Sequence, residues 1–171
     1  FVVEGNNFKG SGSDRISFNG SSATKGSFLI KDNVIDSAGV YIAYAKKAQV
    51  QGNLIKNITS SSREGIEIQS SNAFVEYNTI KDNAGDGIWR DCQSYYGDSV
   101  NDTIRFNSIT GNNASNNYYR AGLYVAGYGD PVIRYNDIYD NSEDYYDLYV
   151  GTGNLDDDLD VRFNYWGTTT T

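Results

Sequence analysis

Chemistry in this chain is left to carboxylates, basic side chains, hydroxyls and aromatic rings. Its 171 residues contain no histidine and a single cysteine, Cys92. An imidazole base and an imidazole metal ligand are therefore excluded, and so is an internal disulfide. Cys92 reads as a small buried hydrophobe, because a reactive thiol needs a basic neighbour or a helix N-terminus. Arg90 and Asp91 stand side by side on a strand and read as a surface ion pair. Asp156, Asp157, Asp158 and Asp160 cluster the carboxylate oxygens that a calcium ion wants, without the glycine and glutamate spacing of an EF-hand loop. Calcium is the one cofactor for which the chain offers candidate ligands. Asn19, Asn57, Asn101 and Asn113 head Asn-x-Ser/Thr sequons and are the candidate glycosylation sites.

The aromatic residues make the most suggestive set. Short runs with period-two alternation read Gly39-Val-Tyr-Ile-Ala, Gly65-Ile-Glu-Ile-Gln, Gly87-Ile-Trp-Arg-Asp, Gly122-Leu-Tyr-Val-Ala and Asp147-Leu-Tyr-Val, with a weaker first copy at Arg15-Ile-Ser-Phe. Their outward positions hold Ser17, Tyr41, Glu67, Trp89, Tyr124 and Tyr149. If these runs stack, Tyr41, Trp89, Tyr124 and Tyr149 form an aromatic stripe suited to sugar rings or to another protein. Further tyrosine pairs stand at Tyr95-Tyr96, Tyr118-Tyr119 and Tyr145-Tyr146.

What must position these residues is a repeat. The pattern aliphatic-x-x-Asn-x-apolar recurs at Asn6, Asn33, Asn53, Asn78, Asn107, Asn136 and Asn164. Three residues before each stands Val3, Ile30, Val50, Val75, Ile104, Ile133 or Val161. Two residues after each stands Phe8, Ile35, Ile55, Ile80, Ile109, Ile138 or Trp166. The residue just before each asparagine ranges from Gly to Phe, so that position is not obligatory core. Strands that return every 20 to 29 residues, with no helical pattern between them, describe a coil stacked on itself. The asparagines then form an internal ladder of amides, each bonded to the next, which satisfies groups that would be costly to bury alone. The stretches between strands vary in length and read as loops. Asn116 lies in one of them.

These repeats resemble the pectin-lyase-like β-helix superfamily, and more narrowly its NosD-like repeats. The closing Arg162-Phe-Asn-Tyr-Trp-Gly resembles the ending of such repeat blocks. The resemblance implies an all-β fold, a right-handed single-stranded parallel β-helix of about six to seven coils over residues 1–167. Residues 168–171 then read as a polar tail or the start of a linker. It also implies that the asparagine ladder sits at the tight turn between the second and third sheets. The Gly-Ile-x-Ile strands then form the sheet that often carries sugar. The catalytic Gly-His-Gly and Arg-Ile-Lys segments of the polygalacturonases are absent. Tyr128-Gly129-Asp130-Pro131 is a partial likeness to an alginate-epimerase segment and lacks its histidine, so it reads as a turn.

A net charge of −8 and a pI near 4.4 leave no basic footprint for nucleic acid or an anionic membrane surface. No apolar stretch is long enough to span a membrane as a helix. The chain starts without Met and without a signal pattern, as a processed or excised segment would. The leading expectation is a non-enzymatic extracellular module, a structural or assembly component of a cell surface or extracellular fibre. Self-association, or further coils, is expected at the solenoid ends. The alternatives are a carbohydrate-binding module using the aromatic column, or part of a polysaccharide lyase or epimerase.

Overall fold

Side chains alternate sides along each run, so a run with one apolar column can bury that column only by stacking on its own repeats. The computed structural model shows this outcome. It describes residues 1–20, 26–93, 101–113, 121–141, 146–151 and 159–167. Among these residues are strands and no helix, and every pairing is parallel. The chain is a β-solenoid.

Each coil has three faces. Counting the glycine-led strands as the first, the second holds β1 (Val2–Glu4), β3 (Ser27–Lys31), β5 (Lys47–Gln51), β8 (Ala73–Glu76), β11 (Thr103–Arg105) and β14 (Val132–Arg134), stacked in that order. The third holds β6 (Leu54–Lys56), β9 (Thr79–Lys81), β12 (Ser108–Thr110) and β15 (Asp137–Tyr139). The first holds β7 (Ile66–Gln69), β10 (Ile88–Cys92), β13 (Ala121–Gly127) and β16 (Tyr146–Val150). In the two earliest coils β2 (Asn7–Asn19) and β4 (Val34–Ala43) run unbroken through the third and first faces. The six strands of the second face enclose about five turns, fewer than the six to seven coils expected from seven asparagines. The asparagines mark corners, and those at the two ends do not each close a full coil.

The asparagine ladder lies at the corner between the second and third faces. Side-chain amides bond in sequence from Asn6 through Asn33, Asn53, Asn78, Asn107 and Asn136 to Asn164, at 2.9–3.1 Å. From Asn33 onward each Oδ1 also accepts the backbone N–H of the preceding ladder residue. Behind it, Ile30, Val50, Val75, Ile104 and Ile133 form one fully buried column, and Ile35, Ile55, Ile80, Ile109 and Ile138 another. Trp166, in the last coil, is 38% exposed.

The residue before each ladder asparagine has left-handed φ, from Gly5 at +67° through Tyr77 at +58° to Phe163 at +63°. That explains a position open to both Gly and Phe. The αL backbone turns the corner and throws the side chain outward, so the core does not select it.

A second ladder went unpredicted. Asn83 donates to Asn112 and Asn112 to Asn141, both at 2.8 Å, at the corner between the third and first faces. Its sequence signal is a second asparagine five residues after the first in three successive repeats, beginning at Asn78, Asn107 and Asn136. It also explains the glycine that opens the first-face strands. A Cβ on Gly87 would lie 2.6 Å from the Gly122 carbonyl oxygen and 2.8 Å from Asn112 Nδ2. Gly87→Ala is therefore expected to cost roughly 1–3 kcal/mol by forcing two coils apart. A thermal melt equal to wild type would show that the coils can spread there.

Candidate functional site

Strand register decides which outward side chains meet. Ser17, Tyr41, Glu67, Trp89, Tyr124 and Tyr149 fall in one row across the first face, one per coil, as the repeat implied. Trp89 stacks on Tyr124 with ring centroids 5.9 Å apart, and Tyr124 on Tyr149 at 5.3 Å, with planes 14° and 16° from parallel. The rings therefore overlap like shingles along the stack and do not form one flat, continuous platform.

Tyr41 is separate from this stack. Glu67 occupies the coil between Tyr41 and Trp89, and two coil spacings amount to roughly 10 Å. The missing ring leaves an open groove of about 560 Å³, with Trp89 and Tyr124 on one side, Tyr41 on the other and Glu67 between. Arg15, Arg63 and Glu64 also line it.

The groove's polar groups are held in a connected network. The Arg15 guanidinium lies 4.2 Å from the Tyr41 ring centre and donates to Glu67 Oε2 at 2.8 Å. Gln69 Nε2 donates to Glu67 Oε1 at 3.0 Å, and the Tyr41 hydroxyl donates to Gln69 Oε1 at 2.9 Å. Burial, with Glu67 adding to it, raises the Tyr41 phenol above its ordinary range. Arg63 Nε donates to the Ser13 carbonyl at 3.2 Å. Arginine, glutamate and glutamine fixed beside ring edges are the groups that pair with vicinal hydroxyls.

The family described as "Protein of unknown function (DUF1565)" matches residues 2–159. The chain belongs to the DUF1565 family. That match spans the groove, the second ladder and the first ladder from Asn6 to Asn136, and the family adopts a β-helix fold. No curated protein and no solved structure gives a significant match to this DUF1565 chain.

The other expected sites fall as follows. Arg90 is not at the surface. Its register with Ile68 and Val125 places it on the inward side of its strand, fully buried. Its partner is not Asp91 but Asp102, at 2.8 Å. Arg90 also donates to the carbonyls of Ala126 and Tyr128, and Asp102 accepts the Ala73 N–H. Burial pushes the Asp102 carboxyl above the usual carboxylate range, while Arg90 and that amide pull it down. Strict alternation explains the correction: Trp89 outward requires Arg90 inward.

Cys92 is buried, and burial raises its thiol further from the thiolate that would react. Tyr128 to Pro131 form the expected bend, with Gly129 at φ +86°. Asp156, Asp157 and Asp158 lie outside the described residues. The carboxylate of Asp160 accepts from Arg134 and Arg162. Among the described residues no group of three acidic or thiol side chains is placed to hold a metal. Asn19, Asn57 and Asn101 are exposed, whereas Asn113 is buried at 2% and does not offer its amide to a glycan. Tyr95, Tyr96, Tyr118, Tyr119 and Tyr145 lie outside the described residues, and Tyr146 packs against Tyr149.

Proposed function

We propose that this chain is a non-catalytic extracellular β-solenoid that holds polysaccharide, a structural part of a cell surface or matrix. The observation that carries this reading is the groove that Glu67 opens between Tyr41 and Trp89. It offers a ring wall on each side and a preset floor of hydrogen-bonding groups, the combination that recognises a sugar ring. The resemblance of the repeats to the pectin-lyase-like β-helices agrees with this reading. The non-catalytic part rests on how the carboxylates are engaged. Glu67 is held by Arg15 and Gln69, and the fully buried Asp86 accepts the Ala121 N–H.

A glycan array with wild type and Trp89→Ala tests the proposal. The wild type is expected to retain a defined set of glycans, and Trp89→Ala to weaken that retention by about tenfold, the effect of losing one well-packed aromatic contact. Silence across the array, with and without calcium, would remove the carbohydrate reading. Unsaturated uronic products detected in ultraviolet light would replace it with a lyase.

A further inference from the structure

At the corner between the second and third faces, away from the groove, four aromatic rings form a second column. Tyr77, Phe106, Tyr135 and Phe163 stack at centroid distances of 5.1, 5.4 and 5.3 Å, with planes within 10° of parallel. They remain 61%, 39%, 49% and 63% exposed. With stacked planes roughly 3.5–4 Å apart, such centroid distances mean that neighbours slide past each other by roughly 4 Å. Each ring therefore leaves part of its face open, like a shingle.

The backbone at this corner does not call for these rings. All four have φ between +57° and +63°, and Gly5 and Gly52 take the same conformation at the same corner. A bulky residue there is disfavoured relative to glycine. Four aromatics in successive coils, where glycine would fit better, indicate a surface kept for binding.

A polar column runs beside the rings. Gln51, Glu76, Arg105 and Arg134 are in register, one per coil, and Arg162 follows beside Phe163. Glu76 pairs with Arg105, and Asp160 with Arg134 and Arg162, so the strip carries little net charge.

We infer that this corner is a second carbohydrate-binding face, for a neutral, extended β-linked polysaccharide lying along the solenoid axis. The repeat of one ring and one planar polar group per coil, about 4.8 Å, is close to the advance of one residue in an extended β-1,4-linked chain. The overall charge of −8 disfavours polyanionic glycans, and equally the side-by-side packing of two copies of this protein. The inference is separable from the groove proposal, because the two sites lie on different faces and share no residue.

The test is affinity electrophoresis through hydroxyethylcellulose, with chitohexaose titrated by calorimetry, comparing wild type, Trp89→Ala and the double variant Phe106→Gly/Tyr135→Gly. Glycine suits the αL backbone, so the double variant is expected to melt within a few degrees of wild type. It is also expected to lose at least about tenfold in affinity for these probes, while Trp89→Ala keeps its affinity for them. Unchanged affinity in the double variant would overturn the inference. So would a wild type that binds neither probe, or a large fall in melting temperature showing that the rings hold the fold. A wild-type dimer in sedimentation that the double variant loses would reassign the face to contact between copies. If instead only Trp89→Ala loses affinity, the groove stands and this second face falls.

Discussion

Asn78→Ala is expected to lower the stability of the protein by roughly 3–5 kcal/mol, combining orphaned polar groups with a cavity. Asn78 sits mid-ladder and is buried. Its Oδ1 accepts the Asn53 N–H and its Nδ2 donates to the Val50 carbonyl and to Asn107. Truncation leaves the Asn53 N–H without its acceptor and removes a donor from the Val50 carbonyl, both deep in the coil. Because each coil contacts only its neighbours, the damage spreads to those above and below. The comparison substitution is Asn19→Ala, at an exposed strand end; Asn116, the loop residue named from the sequence, lies outside the described residues. Asn19→Ala should stay within about 0.5 kcal/mol. Thermal melts should separate the two by roughly 10 °C. Equal melting temperatures would show that the amide ladder does not hold the coils together.

Arg90→Ala is expected to cost roughly 3–5 kcal/mol, because it leaves the Asp102 carboxylate buried without its counter-charge. The guanidinium also ties the carbonyls of Ala126 and Tyr128 to the start of β11 through Asp102. A matched pair of changes isolates the charge. Arg90→Met with Asp102→Asn keeps the packed stem and an acceptor for the Ala73 N–H while removing both charges. This double variant should recover part of the loss in urea denaturation. If it is no more stable than Arg90→Ala, the hydrogen bonds to the two carbonyls, not the charge pair, are what Arg90 contributes.

These two residues differ in how far the sequence announced them. Asn78 belongs to a column visible in seven copies, because stacking requires the same side chain at the same place in every coil. The fold, the first ladder and the buried Ile and Val columns were legible for that reason. So was the alignment of Ser17, Tyr41, Glu67, Trp89, Tyr124 and Tyr149, which follows from period two within a strand and register between strands. Arg90 interrupts its column once, and its partner Asp102 stands twelve residues on, at the start of the second-face strand that follows. No repeat signals such a pair.

The sequence by itself therefore determined the solenoid, since a periodic pattern of buried positions permits only a periodic stack. The tertiary structure alone decided what the surface offers. Whether rings lie flat or shingle depends on the rise and twist between coils. That the gap at Glu67 becomes a groove depends on Arg15 reaching across Tyr41 to pair with it. That the variable position before each asparagine becomes an exposed aromatic column depends on an αL backbone at the corner, which Gly and Phe can share only because the side chain leaves the core. Each of these is a relation between coils at a corner or a break in the repeat, where periodicity no longer constrains the chain.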